Sequence, residues 1–505
     1  MIVIKRLLTK LCQIRVNNKG KGHFFAPLGY NLTRKKNMEE KRTKTICTLS
    51  DDRCDVDFIR SLYSMGMNVV RINSAHATMD GAARIVRNVR AVSDRIALLI
   101  DTKGPEVRMT ATESEKGFEV STGDILNIYG GRPRISGRQG IYTNCSTLVK
   151  DVPEGSRILI DDASIELTVL SKDNEKLICR VCNKGVIRGK KSINIPEVHI
   201  PLPSLTDNDI KFINWAIEAD IDFIAHSFVR SSNDLKEIHK ILKEAGSHMK
   251  IISKIENQQG IDNLNDILHE SYGIMVARGD LGVEIPPERI PMIQKHIVEE
   301  CRKCRKPVII ATQMLHSMIE NPRPTRAEVT DVANAIFQGA DAIMLSGETA
   351  NGKYPLEAVS TMSRIAAEAE KSIGISLDLK FNEVLKPIAA TLAYNMVEAS
   401  TRLPVKAIII DTWTGRTGRY LAEFRPKVPV YAMCYRKFTV RELALTFGIE
   451  GYHFDIQESK EEMVRNSIRI LTEAGKLSKG DLVGFVGGSF NDALGASYME
   501  FKYID

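Results

Sequence analysis

Residues Ile251–Asp280 read IISKIENQQGIDNLNDILHESYGIMVARGD. Two short apolar runs, Ile251–Ser253 and Ile274–Ala277, bracket a segment of helical length. Each run gives way to ionisable residues, Lys254 and Glu256 after the first, Arg278 and Asp280 after the second. Near-continuous β-branched runs that alternate with helices read as parallel strands buried on both faces. Working outward, the same unit recurs at Thr45–Leu49, Val69–Ile72, Ile96–Ile100, Phe223–Ala225, Val308–Ala311 and Ile343–Leu345. A doubly wound open sheet looks alike locally, so the count decides: eight such units predict a closed (β/α)8 barrel of the TIM type.

One gap breaks the rhythm. Between Ile100 and Phe223 lie 122 residues of another kind. Ile125–Tyr129, Arg157–Ile160, Ile165–Leu170 and Lys176–Val181 are short, alternating and bounded by turn-forming residues, the pattern of an all-β insertion in the third βα loop. Beyond Ser376 a separate α/β set follows, with runs at Ala407–Asp411, Val430–Met433 and Leu482–Val486, and it predicts an open parallel sheet. The expected domains are a barrel over 38–105 and 202–371, an inserted β-barrel over 106–201, and a C-terminal α/β domain over 376–505.

The chain has 505 residues, 43% hydrophobic and 26% charged, about three domains of roughly 150 residues. No run approaches the ~20 apolar residues that a membrane helix needs. The net charge of +7 comes from one end: residues 1–37 hold nine Lys or Arg and no acidic residue, leaving −2 on the rest. The basic balance is therefore no argument for nucleic acid. The leader is compatible with a transit peptide, though it lacks Ser, with a signal peptide, though its apolar stretches are broken by Lys and Arg, or with an extension upstream of a working start at Met38. Nine cysteines are scattered, and 118 residues separate the pairs Cys179/Cys182 and Cys301/Cys304, too many for a zinc ribbon. They read as free thiols in a reducing compartment.

A barrel of this kind builds its site at the C-terminal ends of its strands. Polar residues stand at nearly every predicted exit: Arg71 and Asn73, then Asp101, Thr102 and Lys103, then Ser227, Lys254 and Glu256, Arg278 to Asp280, Thr312 and Gln313, Ser346 and Glu348. Glu256 and Asp280 leave adjacent predicted strands, and two carboxylates with open positions suit Mg²⁺ or Mn²⁺. Lys254, two residues before Glu256, shares its strand face and is placed to stabilise charge on a phosphoryl group in flight. Arg71 and Arg108 offer guanidinium forks for phosphate, and Gly279 allows close backbone approach to a carboxylate. An isolated Lys-x-Glu reads as an internal ion pair and an isolated Arg-Gly-Asp as a turn. Their recurrence at successive exits favours a site.

At these residues the chain resembles the pyruvate kinase family. The resemblance is carried by TKTICTL (43–49), MNVVRINSAH (67–76), IDTKGPEVR (100–108), IISKIENQQG (251–260), GIMVARGDLGVEIP (273–286), ATQM (311–314), NPRPTRAE (321–328), DVAN (331–334) and IMLSGETANGKYP (343–355). It implies a cytoplasmic homotetramer that transfers the phosphoryl group of phosphoenolpyruvate to ADP, giving pyruvate and ATP at the last step of glycolysis. By the same resemblance Lys254 stabilises the transferring group, Glu256 and Asp280 hold the divalent metal, and Arg71 contacts the substrate phosphate. Gly279, Asp280 and Thr312 bind the pyruvyl part, with Thr312 near the face where the enolate is protonated through water. Asn73, His76, Arg108 and Lys191 fall at nucleotide positions, and the insertion acts as a lid.

The chain departs from the family pattern in three places. A serine ligand of the monovalent cation is Ala75 here, while Asn73, Asp101 and the Thr102 carbonyl remain; Glu106 stands where Glu accompanies potassium dependence, so K⁺ activation is expected. Thr412–Thr417 (TWTGRT) resembles a sugar-phosphate loop, equally a plain strand-to-helix turn. A second effector loop is absent near Gly487–Ala493, so activation by fructose 1,6-bisphosphate is not expected. His316 stands where Glu is common and is assigned no role. Two competing readings are another Mg²⁺-dependent oxo-acid barrel enzyme, such as an aldolase or lyase, and an inactive paralogue that senses a metabolite. The nucleotide-side Arg108 and Lys191 oppose the first; retention of Lys254 and both carboxylates opposes the second.

Overall fold

A computed structural model describes residues 41–375, 387–488 and 495–505. Eight strands close into one barrel: β1 (Lys44–Leu49), β2 (Val69–Asn73), β3 (Ala97–Asp101), β4 (Phe223–His226), β5 (Lys250–Ile255), β6 (Gly273–Ala277), β7 (Val308–Ala311) and β8 (Ala342–Leu345). Each pairs in parallel with its neighbours, and β1 closes on β8. Alternation along each strand sends one set of side chains inward and the next outward. Ile46, Val69, Leu99, Phe223, Ile252, Met275 and Ile309 pack the interior. Ile72, Ile100, Ile224, Ile251, Ile274 and Ile310 pack against the helices outside. With both faces apolar, the strands read as unbroken hydrophobic runs.

The same alternation places the chemistry. Arg71 and Asn73 continue the inward set of Val69, Asp101 continues that of Leu99, and Lys254 and Glu256 continue that of Ile252. The barrel interior is thus apolar at its base and charged at its mouth.

Between β3 and β4 the chain builds the insertion. Arg157–Ile160, Ile165–Lys172, Lys176–Val181 and Ile125–Tyr129 are successive strands of a six-stranded sheet, while Phe118–Val120 and Gly185–Ile187 pair separately. Residues 107–110 bridge the two edges of the six-stranded sheet: the Met109 N–H donates to the Lys191 carbonyl beside Ile193–Asn194, and the Thr110 N–H to the Tyr142 carbonyl of Ile141–Tyr142. The two three-residue strands pair with each other. A short helix, Leu148–Asp151, interrupts the all-β pattern.

The C-terminal sheet has the order β11-β10-β9-β12-β13, from β9 (Val405–Thr412), β10 (Val430–Cys434), β11 (Ile449–His453), β12 (Leu482–Gly488) and β13 (Ala496–Tyr503). Four strands run parallel, but β13 is antiparallel to β12, so the sheet is mixed and not wholly parallel. This sheet's connections seat against the N-terminal end of the barrel. Leu445 is fully buried and joins the barrel's interior cluster. Around it, Arg441 bonds Asp222 and Asp220, Arg425 bonds Asp341 at 3.0 Å, and the Lys44 ammonium reaches the Ile449 carbonyl. The barrel is stoppered at one end and open at the other, where its charged residues lie.

The leader, residues 1–37, and most of Gly487–Ala493 lie outside the described residues. No helix among the described residues is long and apolar enough to cross a membrane.

Candidate active site

The exits of β2, β3, β4 and β5 converge on one buried carboxylate. Asp101 is 1% exposed. Its Oδ2 accepts from Arg71 Nε at 2.6 Å, and its Oδ1 accepts from Lys254 Nζ at 3.2 Å and Ser227 Oγ at 3.3 Å. Lys254 Nζ also donates to Ser227 Oγ at 2.7 Å and stands 2.9 Å from Glu256 Oε1. Burial works against each charge, and the pairing outweighs it for two of them. Asp101 is held below the usual carboxylate range by Arg71 and Lys254, and Lys254 is raised by Asp101 and Glu256. The ammonium is therefore fixed in its charged form at the barrel mouth.

Glu256 behaves differently. Burial, reinforced by Asp280 and opposed by Lys254, pushes its carboxyl up to about 7. Its Oε2 accepts from the Phe228 N–H at 2.6 Å. Its Oε1 is approached only by the Lys254 ammonium, at 2.9 Å. A buried carboxylate with one cationic neighbour and lone pairs to spare is stabilised by a further cation. Asp280, in the first turn of helix Arg278–Glu284, supplies a second carboxylate whose field reaches Glu256. Among the described residues no three His, Cys, Asp or Glu side chains are grouped as for an all-protein metal cage. Two carboxylates, one with an oxygen that only Lys254 approaches, suit a hard cation that takes its remaining ligands from substrate and water.

The pyruvyl-side candidates meet at the end of β7. Gly279 N–H donates to Thr312 Oγ1 at 2.8 Å. Thr312 and Gln313 both adopt positive φ, 67° and 54°, and Phe228 at the exit of β4 has φ 56°. Non-glycine residues in this region are strained and persist only where the surroundings enforce them. Here the enforcing group is Arg278, whose Nη2 donates to the Thr312 carbonyl at 2.6 Å and whose Nε donates to the Ala311 carbonyl at 3.3 Å. Asp331 clamps Arg278 Nη1 with both oxygens, at 2.8 and 2.7 Å. Gly279 leaves open the space beside Thr312: an added Cβ would stand 3.6 Å from Oγ1.

The nucleotide-side candidates are less convergent. Asn73 Oδ1 accepts the Ala75 N–H at 3.1 Å, and His76 is exposed on the turn after β2. Arg108 donates through Nε to Glu106 at 2.7 Å and through Nη1 to the Lys190 carbonyl at 2.8 Å. Lys191 pairs with Asp161 at 2.9 Å. These last two side chains thus find their partners within the insertion. Of the monovalent-cation candidates, the Thr102 carbonyl accepts from Ser227 Oγ at 2.7 Å, and Ala75 offers no side-chain oxygen. The insertion nonetheless meets the barrel: a cleft of about 350 Å³ is lined by Glu106 and His199 on its side and by Phe228, Asn257, Asp280 and Glu284 on the barrel's.

Four residues belong to this arrangement that the sequence reading gave no role. Ser227 stood at a strand exit, and Thr48, whose Oγ1 accepts from Arg71 Nη1 at 3.1 Å, lies on the inward side of β1 with Ile46, so parity marks both. Arg278 was visible at its exit, but its task depends on Asp331, which lies on helix Arg326–Gln338 and carries no exit signal. His316 is exposed on the short helix His316–Ile319. In the TWTGRT loop, Gly415 N–H donates to Thr412 Oγ1 at 2.9 Å, and Trp413 stacks on Tyr435 at 4.8 Å.

Comparison with known proteins bears on this geometry. The family model for the pyruvate kinase barrel domain matches residues 40–359, and that for the pyruvate kinase alpha/beta domain matches residues 390–499. A pyruvate kinase of Borreliella burgdorferi is 44% identical over 475 residues, covering 93% of this chain and 98% of the relative. One from Clostridium acetobutylicum is 41% identical, covering 91% and 98%. The crystal structure of a pyruvate kinase from Cryptosporidium parvum superposes with a TM-score of 0.86 at 34% identity, covering 92% of this chain and 96% of that one. Both domain matches and the near full-length relatives account for the barrel, the C-terminal sheet and the lysine–carboxylate mouth together: the chain belongs to the pyruvate kinase family, phosphotransferases that move the phosphoryl group of phosphoenolpyruvate to ADP.

Proposed function

We propose that the mouth of the barrel is where this enzyme makes pyruvate and ATP, with Lys254 as its central catalytic group. The observation that supports this most is the Lys254 ammonium, buried, held charged by Asp101 and Glu256, and open to nothing but the barrel mouth. In this reading Arg71 and Lys254 bind the phosphate of phosphoenolpyruvate, and Lys254 follows the charge as the phosphoryl group passes to ADP. Thr312, set by Arg278 and Gly279, orders the water that protonates the enolate. Gly279 and Asp280 receive the pyruvyl carboxylate side. Asn73, His76, Arg108 and Lys191 take the nucleotide, the last two after exchanging their present partners as the insertion closes and excludes water.

Glu256 and Asp280 fit a divalent cation, Mg²⁺ or Mn²⁺, their two carboxylates acting on one buried position. When bound, that ion supplies positive charge to the substrate oxygens. The reading also carries a K⁺ site on Asn73, Asp101 and the Thr102 carbonyl. Asn73 and Asp101 are register partners on β2 and β3, which supports a shared ligand position. Glu106 lines the same cleft as Asp280 and pairs there with Arg108.

A homotetramer is proposed as the working form. Two regions leave large apolar side chains exposed: Met292, Val329 and Phe337 on barrel helices, and Ile388, Leu403 and Tyr503 around the C-terminal sheet, whose strand β13 has a free edge. Two different self-complementary faces on one chain generate a closed tetramer. The compartment proposed is the cytoplasm, and recovery of the enzyme with membranes on cell fractionation would contradict it.

Pyruvate formation from phosphoenolpyruvate and ADP with Mg²⁺ tests the site. Lys254→Met is expected to lower kcat by about 10²–10³-fold or more, with the fold retained by circular dichroism; an active variant would remove Lys254 from the role given. The rate is expected to rise with K⁺ and not with Na⁺ at equal ionic strength. Equal rates would leave the kinase standing and end the K⁺ proposal. Light scattering of the purified enzyme is expected to give four times the chain mass of 56.4 kDa, and a monomeric active enzyme would refute the assembly.

A further inference from the structure

Opposite the active site, the N-terminal end of β7 faces the C-terminal sheet across a half-open cleft of about 20 Å³. Its charges do not balance. Arg302, Arg305 and Lys306 line it from the barrel, and Arg419 and Arg425 from the C-terminal side, against the carboxylates of Asp341 and Glu423.

Following each donor shows where the excess lies. Arg305 Nε pairs with Glu423 Oε2 at 2.9 Å, and Arg425 Nη1 with Asp341 Oδ1 at 3.0 Å. Lys306 spends its ammonium on backbone carbonyls, among them Ser271 at 2.6 Å and His269 at 3.0 Å. Arg419 donates to the Thr414 carbonyl at 3.2 Å. Asp341 is thereby engaged, and Glu423 through its Oε2 only. The Nε–H groups of Arg302 and Arg425 remain, each buried with no acceptor, while the buried Thr446 hydroxyl lies against that of Tyr272. Arg425 is 5% exposed and Thr446 is 3% exposed. Burial depresses Arg302, and the neighbouring Arg425 adds to that, so the cations press on one another.

Buried guanidinium N–H groups with no acceptor cost free energy that an anion would recover. We propose that this cleft binds a small anion between Arg302 and Arg425. A volume near 20 Å³ admits one water-sized guest. The guest is therefore a monatomic anion, or one oxygen of a phosphate or carboxylate whose remainder lies in solvent at the open side. A neutral water would satisfy the geometry but leave the charge excess. The Glu423 Oε1 atom, buried and without a donor in the same cleft, is the one feature repelling an anion; burial raises that carboxyl to about 7 against the pull of Arg305 and Arg302, so its negative charge is already weakened. Arg302 belongs to the barrel helix and Arg425 to the C-terminal part, so the anion ties the two together at the foot of the strand that carries Thr312.

The test is thermal unfolding of the full chain and of Arg302→Gln in a zwitterionic buffer, titrated separately with potassium chloride and potassium phosphate. Arg302 is partly exposed, so the variant is expected to fold. The expected result is a saturable rise in the wild-type midpoint of about 2 °C or more that the variant lacks. Saturation by chloride identifies a monatomic guest; saturation by phosphate alone identifies an oxyanion. Parallel, non-saturating rises in both proteins would be a general salt effect and overturn the proposal, as would no rise. Calorimetric titration of inorganic phosphate and of chloride into the wild type provides the direct check: heat with neither overturns it.

Discussion

One carboxylate holds the mouth of this barrel in register. Asp101 receives Arg71 on one oxygen and Lys254 on the other, and both cations are buried beside it. Without a shared counter-charge, two cations in so dry a place would repel each other and lose protons or solvent exposure instead. With it, they stand side by side, charged and oriented, on neighbouring parts of the barrel wall. In the proposed role, a phosphate entering the mouth would meet two preformed donors. The electrostatic work of bringing them together is done in folding, which is the condition for stabilising charge that develops during transfer.

The rest of the fold can be read as support for that arrangement. Inward alternation brings Arg71, Asp101 and Lys254 to the same level from strands β2, β3 and β5, because each lies two residues beyond an interior apolar residue. Leu445 and its ring of ion pairs close the opposite end, so the interior stays dry up to the charged layer. On the far side of the mouth, Asp331 and Arg278 hold Thr312 in a conformation it would not adopt alone.

How much of this the sequence displayed follows from burial. All eight barrel strands are enclosed on both faces and appear as unbroken apolar runs, so each was legible to within a residue or two. In the C-terminal sheet the strands that escaped notice are β11, IEGYH, and β13, ASYMEFKY, whose polar and partly exposed residues erase the run; in the insertion the strands missed are two or three residues long. Lys254, Glu256 and Asp280 were legible because strand exits are predictable positions. The clamp on Thr312 was not, because Asp331 acts from a helix whose approach to β7 is a tertiary fact. Arg108 and Lys191 mark the same boundary: their partners, Glu106 and Asp161, depend on how the insertion folds on itself. The unbalanced cleft beneath β7 was equally invisible, since its two basic groups, 302–306 and 419–425, lie far apart in sequence and each is ordinary alone.

The account rests on Asp101, and its direct test is the steady-state kinetics of Asp101→Asn with phosphoenolpyruvate and ADP. Removing one partner of a buried charged network typically costs about 3–5 kcal/mol. The account predicts a loss in kcat/KM of at least about 100-fold, in a protein whose circular dichroism is unchanged. Near wild-type kinetics in Asp101→Asn would contradict it, because Arg71 and Lys254 would then be held for catalysis by something else.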